Sequence, residues 1–335
     1  MINLRMRTTP GSMLGVFSSS DLIDLPGRLR AMRRQERSPY RCEDYIGRRR
    51  RERERAAASN KRRAEDAGYR RDDNNEGEID VKCRERMCDW SYRVVDHFDC
   101  DREIVSVAFS CLDRFLDRCS CDRTAFELAA ISCLHAATKA IGCGRSVSID
   151  DLAKLSRGGF NVHHIAEMER IVLKTLRWRV NPPTAKAFIA QYLMLIDRSL
   201  GSLGAVVSDR AHYFAELSVS DYLFVTEYPS IVAYVAILNA LKSLCLSQVS
   251  NETILSFTSA VERCTGFHYE RHAIETAEER LWQLYRKSEN FDNSNDRGSA
   301  HQEDFNGTKE FIKRGRNVRQ SPVYVSMHPF PAETF

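Results

Sequence analysis

The sequence lacks any long apolar run, since no stretch of about 18 consecutive apolar residues occurs in it. A helix that crosses a bilayer needs such a run, so we expect no membrane span. The first residues also lack the apolar segment of a secretory signal. Their arginines and hydroxyl residues, with no acid among them, faintly resemble an organelle transit peptide, but the basic residues that follow favour the nucleus.

Motifs that carry catalysis are absent as well. The sequence has no Gly-rich loop before a Lys-Ser/Thr pair, no HExxH motif and no nucleophile elbow. The short Gly-rich segment at 142–145 lacks the context of a phosphate site and predicts a turn. His163 and His164 are adjacent on a predicted helix, point to different faces and cannot chelate together. We therefore expect no enzymatic activity, no cofactor and no small-molecule substrate.

Paired cysteines with metal-site spacing are also lacking, although the chain has 11 cysteines. The closest two are Cys119 and Cys121, and no second pair lies at zinc-finger distance. Cys111 and Cys133 occupy positions where small apolar side chains are expected, and free cysteine packs as one. The sequence predicts reduced thiols, in an intracellular protein, and no metal site.

Positive charge is concentrated in one part of the chain. The net charge is +4, yet residues 28–71 contain 17 Lys/Arg against 7 Asp/Glu. Two basic clusters there resemble a bipartite nuclear localisation signal, which predicts a nuclear import receptor as partner and a nuclear protein that is also found in the cytoplasm. Contact with nucleic acid is the less favoured role, and a solvated spacer stays open. The clusters are Arg48, Arg49, Arg50 and Arg51, then Lys61, Arg62 and Arg63.

Helical periodicity fills the middle of the chain, and the alternation typical of strands is absent. Pro182 and Pro183 interrupt the pattern, and Thr184 can cap the next helix. Five helices are predicted on each side of this break, over 81–181 and 182–287. Residues 124–140 are apolar on nearly every face, as in a central helix. The sequence thus predicts an all-α fold of two lobes between a disordered basic arm at 1–80 and a disordered tail at 288–335.

Four charged residues interrupt apolar helical patterns. Arg84 and Asp113 lie near predicted core residues of the first two helices of the first lobe. Lys139 ends the predicted central helix, and Glu169 lies in the middle of another apolar helix. A charge at the edge of an apolar face needs a partner within the chain or from another molecule.

The first half of the folded region resembles a cyclin box. In that family the first helix opens with Arg and carries Asp-Trp five residues later, as at Arg84 and Asp89-Trp90. The second helix carries Leu/Ile-Asp-Arg-Phe-Leu, as at 112–116. The Ala-rich third helix has an early Leu and a final Lys, as at Leu128 and Lys139. The fifth helix has Met-Glu, as at Met168-Glu169.

The second half is similar to mitotic A/B-type cyclins at two segments, Glu216-Leu217-Ser218 and Tyr228-Pro229-Ser230-Ile231-Val232-Ala233. The resemblance implies two cyclin-fold lobes in tandem. It also implies a regulatory subunit for cell-cycle control, which binds and activates a cyclin-dependent protein kinase by packing on the C-helix of the kinase.

The resemblance also assigns roles to individual residues. Arg84 and Asp113 are expected to form an internal ion pair. Lys139 and Glu169 are expected to grip the kinase beside its C-helix, with both side chains reaching solvent in the free protein. The neighbouring kinase-contact positions are Ala140, Arg170, Leu173 and Trp178, of which Trp178 is the large apolar anchor.

Two departures from the family keep alternatives open. Many cyclins have an aromatic residue and two glutamates after the lysine, whereas Ala140, Ile141 and Gly142 follow here. The family's patch for Arg-x-Leu substrate motifs is poorly kept, with Arg86 in its first part and Arg93 in place of an acid. The alternatives are a degenerate cyclin-fold scaffold and a cyclin-like transcription factor that activates no kinase, although the sequence lacks the zinc ribbon that the latter would need.

Overall fold

The computed structural model describes residues 19–64, 79–142, 147–196, 200–244, 249–265, 271–295 and 325–327. In chain order the helices of this part are α1 (Ser19–Arg37), α2 (Tyr45–Ala64), α3 (Val81–His97), α4 (Glu103–Arg118), α5 (Arg123–Ile141), α6 (Ile149–Leu155), α7 (Val162–Thr175), α8 (Ala185–Tyr192), α9 (Leu203–Ser220), α10 (Pro229–Lys242), α11 (Asn251–Thr265) and α12 (Arg271–Asn295). The strands are β1 (Cys119–Cys121) and β2 (Val325–Met327). None of the described helices has the length and apolarity needed to cross a membrane.

The first lobe consists of helices α3 to α7 around α5. The side chain of Asp122 accepts a hydrogen bond from Ala125 N at 2.7 Å and so caps the start of α5. The helix ends at Gly142, whose φ of 78° is readily adopted only by glycine. Between these ends α5 is buried on almost all sides, because its small residues let α4 and α7 approach closely. The predicted central helix at 124–140 is confirmed.

The second lobe consists of helices α8 to α12 around α10. Pro229 occupies the first turn of α10, where a missing N–H is tolerated, and every residue from Ser230 to Leu241 is buried. Thr184 caps α8 by accepting a hydrogen bond from Ala187 N at 3.0 Å. The all-α fold with five helices in each lobe is confirmed.

The basic arm contains two helices that pack on the lobes. Leu25 and Leu29 of α1 are buried in the core of the second lobe. The Glu36 carboxylate accepts hydrogen bonds from Ser230 N at 2.9 Å and Ser230 Oγ at 2.7 Å, at the start of α10. Tyr45, the first residue of α2, is fully buried in the first lobe. The arm therefore contacts both lobes.

The prediction of a disordered arm at 1–80 is corrected for residues 19–64. The basic composition of the arm hides the packing of α1 and α2 on the lobes. Only a few apolar side chains anchor each helix, and most arginines around them face solvent. From residue 51 to residue 58 every side chain of α2 is exposed, so this part of the helix buries no side chain against the lobes. Residues 1–18 and 65–78 lie outside the described residues.

The tail prediction at 288–335 is also corrected in part. α12 continues to Asn295, and β2 pairs antiparallel with β1, which places Cys119 opposite Met327. This pairing joins segments about two hundred residues apart in sequence, so no local pattern signals it. The remaining tail residues, 296–324 and 328–335, lie outside the described residues.

The cysteines differ from the sequence prediction at one position. Cys100 is disulfide-bonded, so the prediction of reduced thiols is corrected there. Eight other cysteines in the described ranges carry free thiols, and six of those are buried. The described residues contain no group of three or more His, Cys, Asp or Glu side chains placed to hold a metal ion.

Candidate partner-binding site

The structure brings Arg84 and Asp113 together in a buried bidentate ion pair. Arg84 Nε donates to Asp113 Oδ1 and Nη2 donates to Oδ2, both at 2.8 Å. The third guanidinium nitrogen, Nη1, donates to the carbonyl oxygen of Val219 in the second lobe, also at 2.8 Å. The pair therefore ties α3 to α4 and also links the two lobes.

A third residue, Tyr45, completes this buried cluster from the N-terminal segment. Its hydroxyl donates to Asp113 Oδ1 at 3.0 Å. Burial by itself would lower the pKa of Arg84, but the adjacent Asp113 carboxylate outweighs burial and raises that pKa above its ordinary value. For the Tyr45 hydroxyl, burial raises the pKa, so this group stays protonated and serves as a hydrogen-bond donor. The cluster holds the lobes and the arm in one arrangement.

The residues predicted to contact a kinase come from the end of α5 and from α7 with the turn after it. We call this surface the α5–α7 patch. It comprises Lys139, Ala140, Glu169, Arg170, Leu173 and Trp178. Lys139 and Ala140 are exposed in the last turn of α5, while Glu169 is buried in the middle of α7.

The side chain of Glu169 is shared between two basic groups of α5. Lys139 Nζ makes an ion pair with Glu169 Oε1, and His135 Nδ1 lies 2.9 Å from Glu169 Oε2. The exposed fraction of the side chain is 55% for Lys139 but only 8% for Glu169. The expectation that both side chains reach solvent is thus corrected for Glu169, because the adjoining α5 residues cover it.

The electrostatics keep this buried acid ionised. Burial alone would raise the pKa of Glu169, but hydrogen bonds from His135 and then from Lys139 oppose burial and lower the pKa below its ordinary value. The patch therefore presents a lysine head group beside a carboxylate whose charged form is stabilised. Such a pair can exchange internal contacts for hydrogen bonds to a partner's backbone.

Trp178 projects from the turn that ends α7. Arg177 and Trp178 have φ values of 51° and 60°, in the left-handed region that glycine favours. Each such residue costs about 1 kcal/mol or more, and strain of this kind often marks functional positions. Trp178 N donates to the carbonyl oxygen of Leu173 at 2.9 Å, which fixes the turn. The Trp178 residue is 73% exposed, so folding itself gains little from it.

The other patch residues flank these groups. Leu173 is half-buried and lies four positions after Glu169, on the same side of α7. Arg170 is exposed and pairs with Glu167, with Nη2 2.6 Å from Oε1. Ala140 is exposed beside Lys139 and offers no side chain that would obstruct an approaching chain. The patch thus combines apolar area with a charged centre.

Sequence reasoning missed His135 and Tyr45. His135 precedes Lys139 by four positions, so the helical period places both on one face of α5 and could have identified it. Tyr45 is separated from Asp113 by 68 positions, and no local signal indicates that contact.

The predicted import clusters both fall on α2. Arg49 is buried and donates to the carbonyl oxygens of Leu116 and Cys119, the latter at 2.6 Å. Arg48 Nη1 pairs with Asp117 Oδ1 at 2.9 Å. Arg50 and Arg51 are exposed. The side chains of Lys61, Arg62 and Arg63 lie outside the described residues. In the first cluster, therefore, Arg48 and Arg49 bind to the first lobe, whereas Arg50 and Arg51 are exposed.

Comparison with known families matches both lobes. The family model "Cyclin, N-terminal domain" matches residues 55–181, and the model "Cyclin, C-terminal domain" matches residues 183–310. Together the two models cover well over half of the chain, in tandem order.

Several cyclins are similar in sequence or structure. Cyclin-B1-1 of Oryza sativa subsp. japonica is 27% identical over 185 residues, covering 55% of this chain and 41% of that protein. G2/mitotic-specific cyclin-2 of Antirrhinum majus is 26% identical over 219 residues, covering 64% and 48%. The chain thus spans less than half the length of these curated relatives.

The X-ray structure of a viral cyclin from herpesvirus saimiri aligns with a TM-score of 0.51 at 14% identity. The alignment covers 63% of this chain and 87% of the viral one, which shows a shared fold. With both domain models matched in tandem and the same fold in a solved cyclin, the chain belongs to the cyclin family.

Proposed function

We propose that this cyclin is a non-catalytic regulatory subunit that binds a cyclin-dependent protein kinase through the α5–α7 patch and activates it. The observation that carries the proposal is the combination of exposed Lys139 paired with buried Glu169 and of exposed Trp178 in the turn that ends α7. Core packing does not require a charge at either position, whereas a protein partner with free backbone donors and acceptors does.

The apolar part of the patch supports the same partner. Trp178 is large, exposed and held by a strained turn, and tryptophan is among the residues that contribute most to binding at interfaces. Leu173 adds apolar area on the same helix. An exposed aromatic side chain in the turn after α7, together with a charged pair that involves the same helix, suits a helical partner surface with an apolar stripe and free backbone groups at its end.

Activation follows from how kinases work. Phosphoryl transfer is fast only when the kinase's Lys–Glu ion pair and its Mg²⁺ ligands are assembled, and the C-helix position controls that assembly. A subunit that binds only the assembled position of the C-helix shifts the equilibrium toward it. The kinase supplies the chemistry, and the cyclin supplies differential binding energy.

The relatives suggest the process in which this chain acts. Several are G2/mitotic-specific cyclins, which favours cell-cycle control as the role of this chain. Because the chain spans less than half the length of these proteins, we include cell-cycle control as part of the proposed function.

The test is reconstitution with purified cyclin-dependent kinases in their monomeric form. We expect stable binding to at least one kinase and a rise of about tenfold or more in its activity on a generic peptide substrate. Trp178→Gly should abolish both effects at the same concentration. Lack of binding to every kinase in a broad panel would contradict the proposal.

A scaffold that binds a kinase without activating it is the second candidate. It is favoured by one observation: Ala140, Ile141 and Gly142 replace the aromatic residue and glutamates that follow the lysine in many cyclins. The same reconstitution separates the two candidates, because a scaffold would bind with unchanged kinase activity.

We infer, in addition, that the chain works in the nucleus and also occurs in the cytoplasm, with α2 presenting the import signal. Replacing Arg50, Arg51 and the Lys61–Arg63 cluster with alanine should leave a fluorescent fusion cytoplasmic. Arg48 and Arg49 are kept in this variant because both hold the first lobe. Unchanged nuclear accumulation would place the signal elsewhere.

A further inference from the structure

The α5–α7 patch contains a buried acid whose two oxygens have different kinds of partner. Oε1 pairs with Lys139, whose long side chain is half-exposed, and Oε2 with His135, whose side chain is only 12% exposed. The lysine can swing toward an approaching partner, whereas the histidine is confined by packing. The two basic groups therefore differ in what they do once a partner arrives.

We propose that His135 is a positioning residue of the partner-binding site: its imidazole holds the Glu169 carboxylate in the orientation that receives the kinase. This inference rests on the proposed function. It assigns to His135 no contact with the kinase, but a role that acts through Glu169.

The hydrogen-bond chemistry fixes the direction of this contact. An ionised carboxylate only accepts hydrogen bonds, so the proton must lie on His135 Nδ1, 2.9 Å from Oε2. The neighbouring turn is fixed as well, since Ser132 Oγ donates to the carbonyl oxygen of Ile165 at 3.1 Å. This bond sets the register of α5 against α7. The imidazole consequently meets Glu169 at a defined distance.

The need for such an anchor follows from burial. When Lys139 turns to a partner, Oε1 loses its ion pair and a buried carboxylate is left with one internal donor. His135 is then the group that keeps the acid ionised and immobile, in line with its hydrogen bond being the strongest influence that lowers the pKa of Glu169. A preorganised carboxylate loses less freedom on binding and binds more tightly.

The test measures kinase affinity for three substitutions at this position. His135→Leu keeps the volume but removes the donor, and we expect affinity to fall about tenfold, the usual effect of losing a hydrogen bond to a charged group. His135→Asn places an amide N–H near the Nδ1 position and should restore affinity to within about threefold of the parent. His135→Ala replaces the Leu variant if the latter does not fold, since alanine favours the helix.

A double-mutant cycle with Glu169→Gln shows whether His135 acts through the acid. In the Glu169→Gln background, His135→Leu should change affinity by less than about twofold, because no carboxylate is left to position. Equal losses in both backgrounds, or parent-like affinity of both the Leu and the Ala variant, would overturn the inference. Thermal unfolding of each variant separates loss of fold from loss of affinity.

This outcome is distinguishable from failure of the proposed function. If Trp178→Gly and Lys139→Ala bind like the parent, the kinase does not use the patch and the proposed function fails. If those two variants lose affinity while His135→Leu and His135→Ala do not, the function stands and only the role of His135 is refuted.

Discussion

The central helices of both lobes end in a Lys–Glu ion pair, but the surroundings of the two pairs differ. Lys139 in the last turn of α5 pairs with Glu169 of α7, and Lys242 in the last turn of α10 pairs with Glu278 of α12. The two lysine side chains are similarly exposed, at 55% and 47%. A Lys–Glu pair at the end of a central helix therefore does not by itself identify a binding site.

The acids and their surroundings differ. Glu169 is 8% exposed and shared with His135, whereas Glu278 is 23% exposed and lies in a groove between α10 and α12. The exposure of one tryptophan from each lobe, Trp178 after α7 and Trp282 in α12, differs in the same way. Trp178 is exposed, while Trp282 is half-buried against Phe214 and Tyr285, at centroid distances of 6.1 and 5.6 Å. The first lobe thus exposes Trp178, and the second lobe packs Trp282 against its own aromatic residues.

The largest effect is expected at the buried ion pair of the first lobe. Asp113→Ala leaves Arg84 buried and unpaired and should lower the free energy of unfolding by about 3–5 kcal/mol. In the second lobe, Asp221→Ala removes a pair with Arg280, which is partly exposed, and should lower it by about 1–2 kcal/mol. Urea unfolding monitored by circular dichroism measures both values. If both variants lost the same free energy of unfolding, the greater burial of the Arg84–Asp113 pair would not make it contribute more to stability.

The next effect separates the two tryptophans. Trp178→Gly should weaken kinase binding by about 2–4 kcal/mol, yet leave the free energy of unfolding within about 1 kcal/mol of the parent, because glycine relieves the left-handed strain. Trp282→Ala should do the opposite, with unchanged binding and a loss of stability of about 1–3 kcal/mol. Binding is measured by calorimetry and stability by urea titration. A comparable loss of binding from both variants would remove the distinction between the lobes.

The smallest effect concerns two acids within the first lobe. Burial raises the pKa of Glu127 to about 7, and Arg123, whose Nε lies 3.7 Å away, opposes burial only weakly. At this carboxyl the folded state then binds more protons than the unfolded state between the ordinary glutamate pKa and about 7, so the contribution of Glu127 to stability falls as pH rises through this range.

Glu127→Gln removes this dependence. The variant should gain about 1–3 kcal/mol relative to the parent between pH ~5 and pH ~8. Glu169→Gln should show no such gain, because the pKa of Glu169 is lowered and the charged form is the stabilised one. Unfolding curves at several pH values test both. No gain in the Glu127→Gln variant over this range, or an equal gain in the Glu169→Gln variant, would contradict the assignment.

The fold was predictable where single helices carry enough local information. The all-round apolar pattern of α5 and the cap at Thr184 predicted helix positions to within a few residues. Arg84, Asp113, Lys139 and Glu169 stood out because charges in apolar helices need partners. Their contacts agree with that reasoning.

The remaining features depend on tertiary contacts that composition hides. The sequence of α1 and α2 predicts a solvated basic arm, because only a few apolar side chains anchor these helices and the carbonyl oxygens to which Arg49 donates lie far along the chain. Burial of Glu169 depends on the register of α5 against α7. The positive φ of Trp178 likewise has no signal in a sequence without glycine at that turn.

The central claim is tested most directly by one pair of matched variants, Lys139→Glu and Lys242→Glu, measured for kinase affinity. Both reverse the charge of a last-turn lysine that pairs with a glutamate on a neighbouring helix. We predict that Lys139→Glu weakens binding by about 2–5 kcal/mol, while Lys242→Glu changes it by less than about 0.5 kcal/mol. Circular dichroism confirms that each is folded, and Lys139→Ala is used if the Glu variant is not. A folded Lys139 variant that binds like the parent, or equal losses from both lysines, would contradict the account.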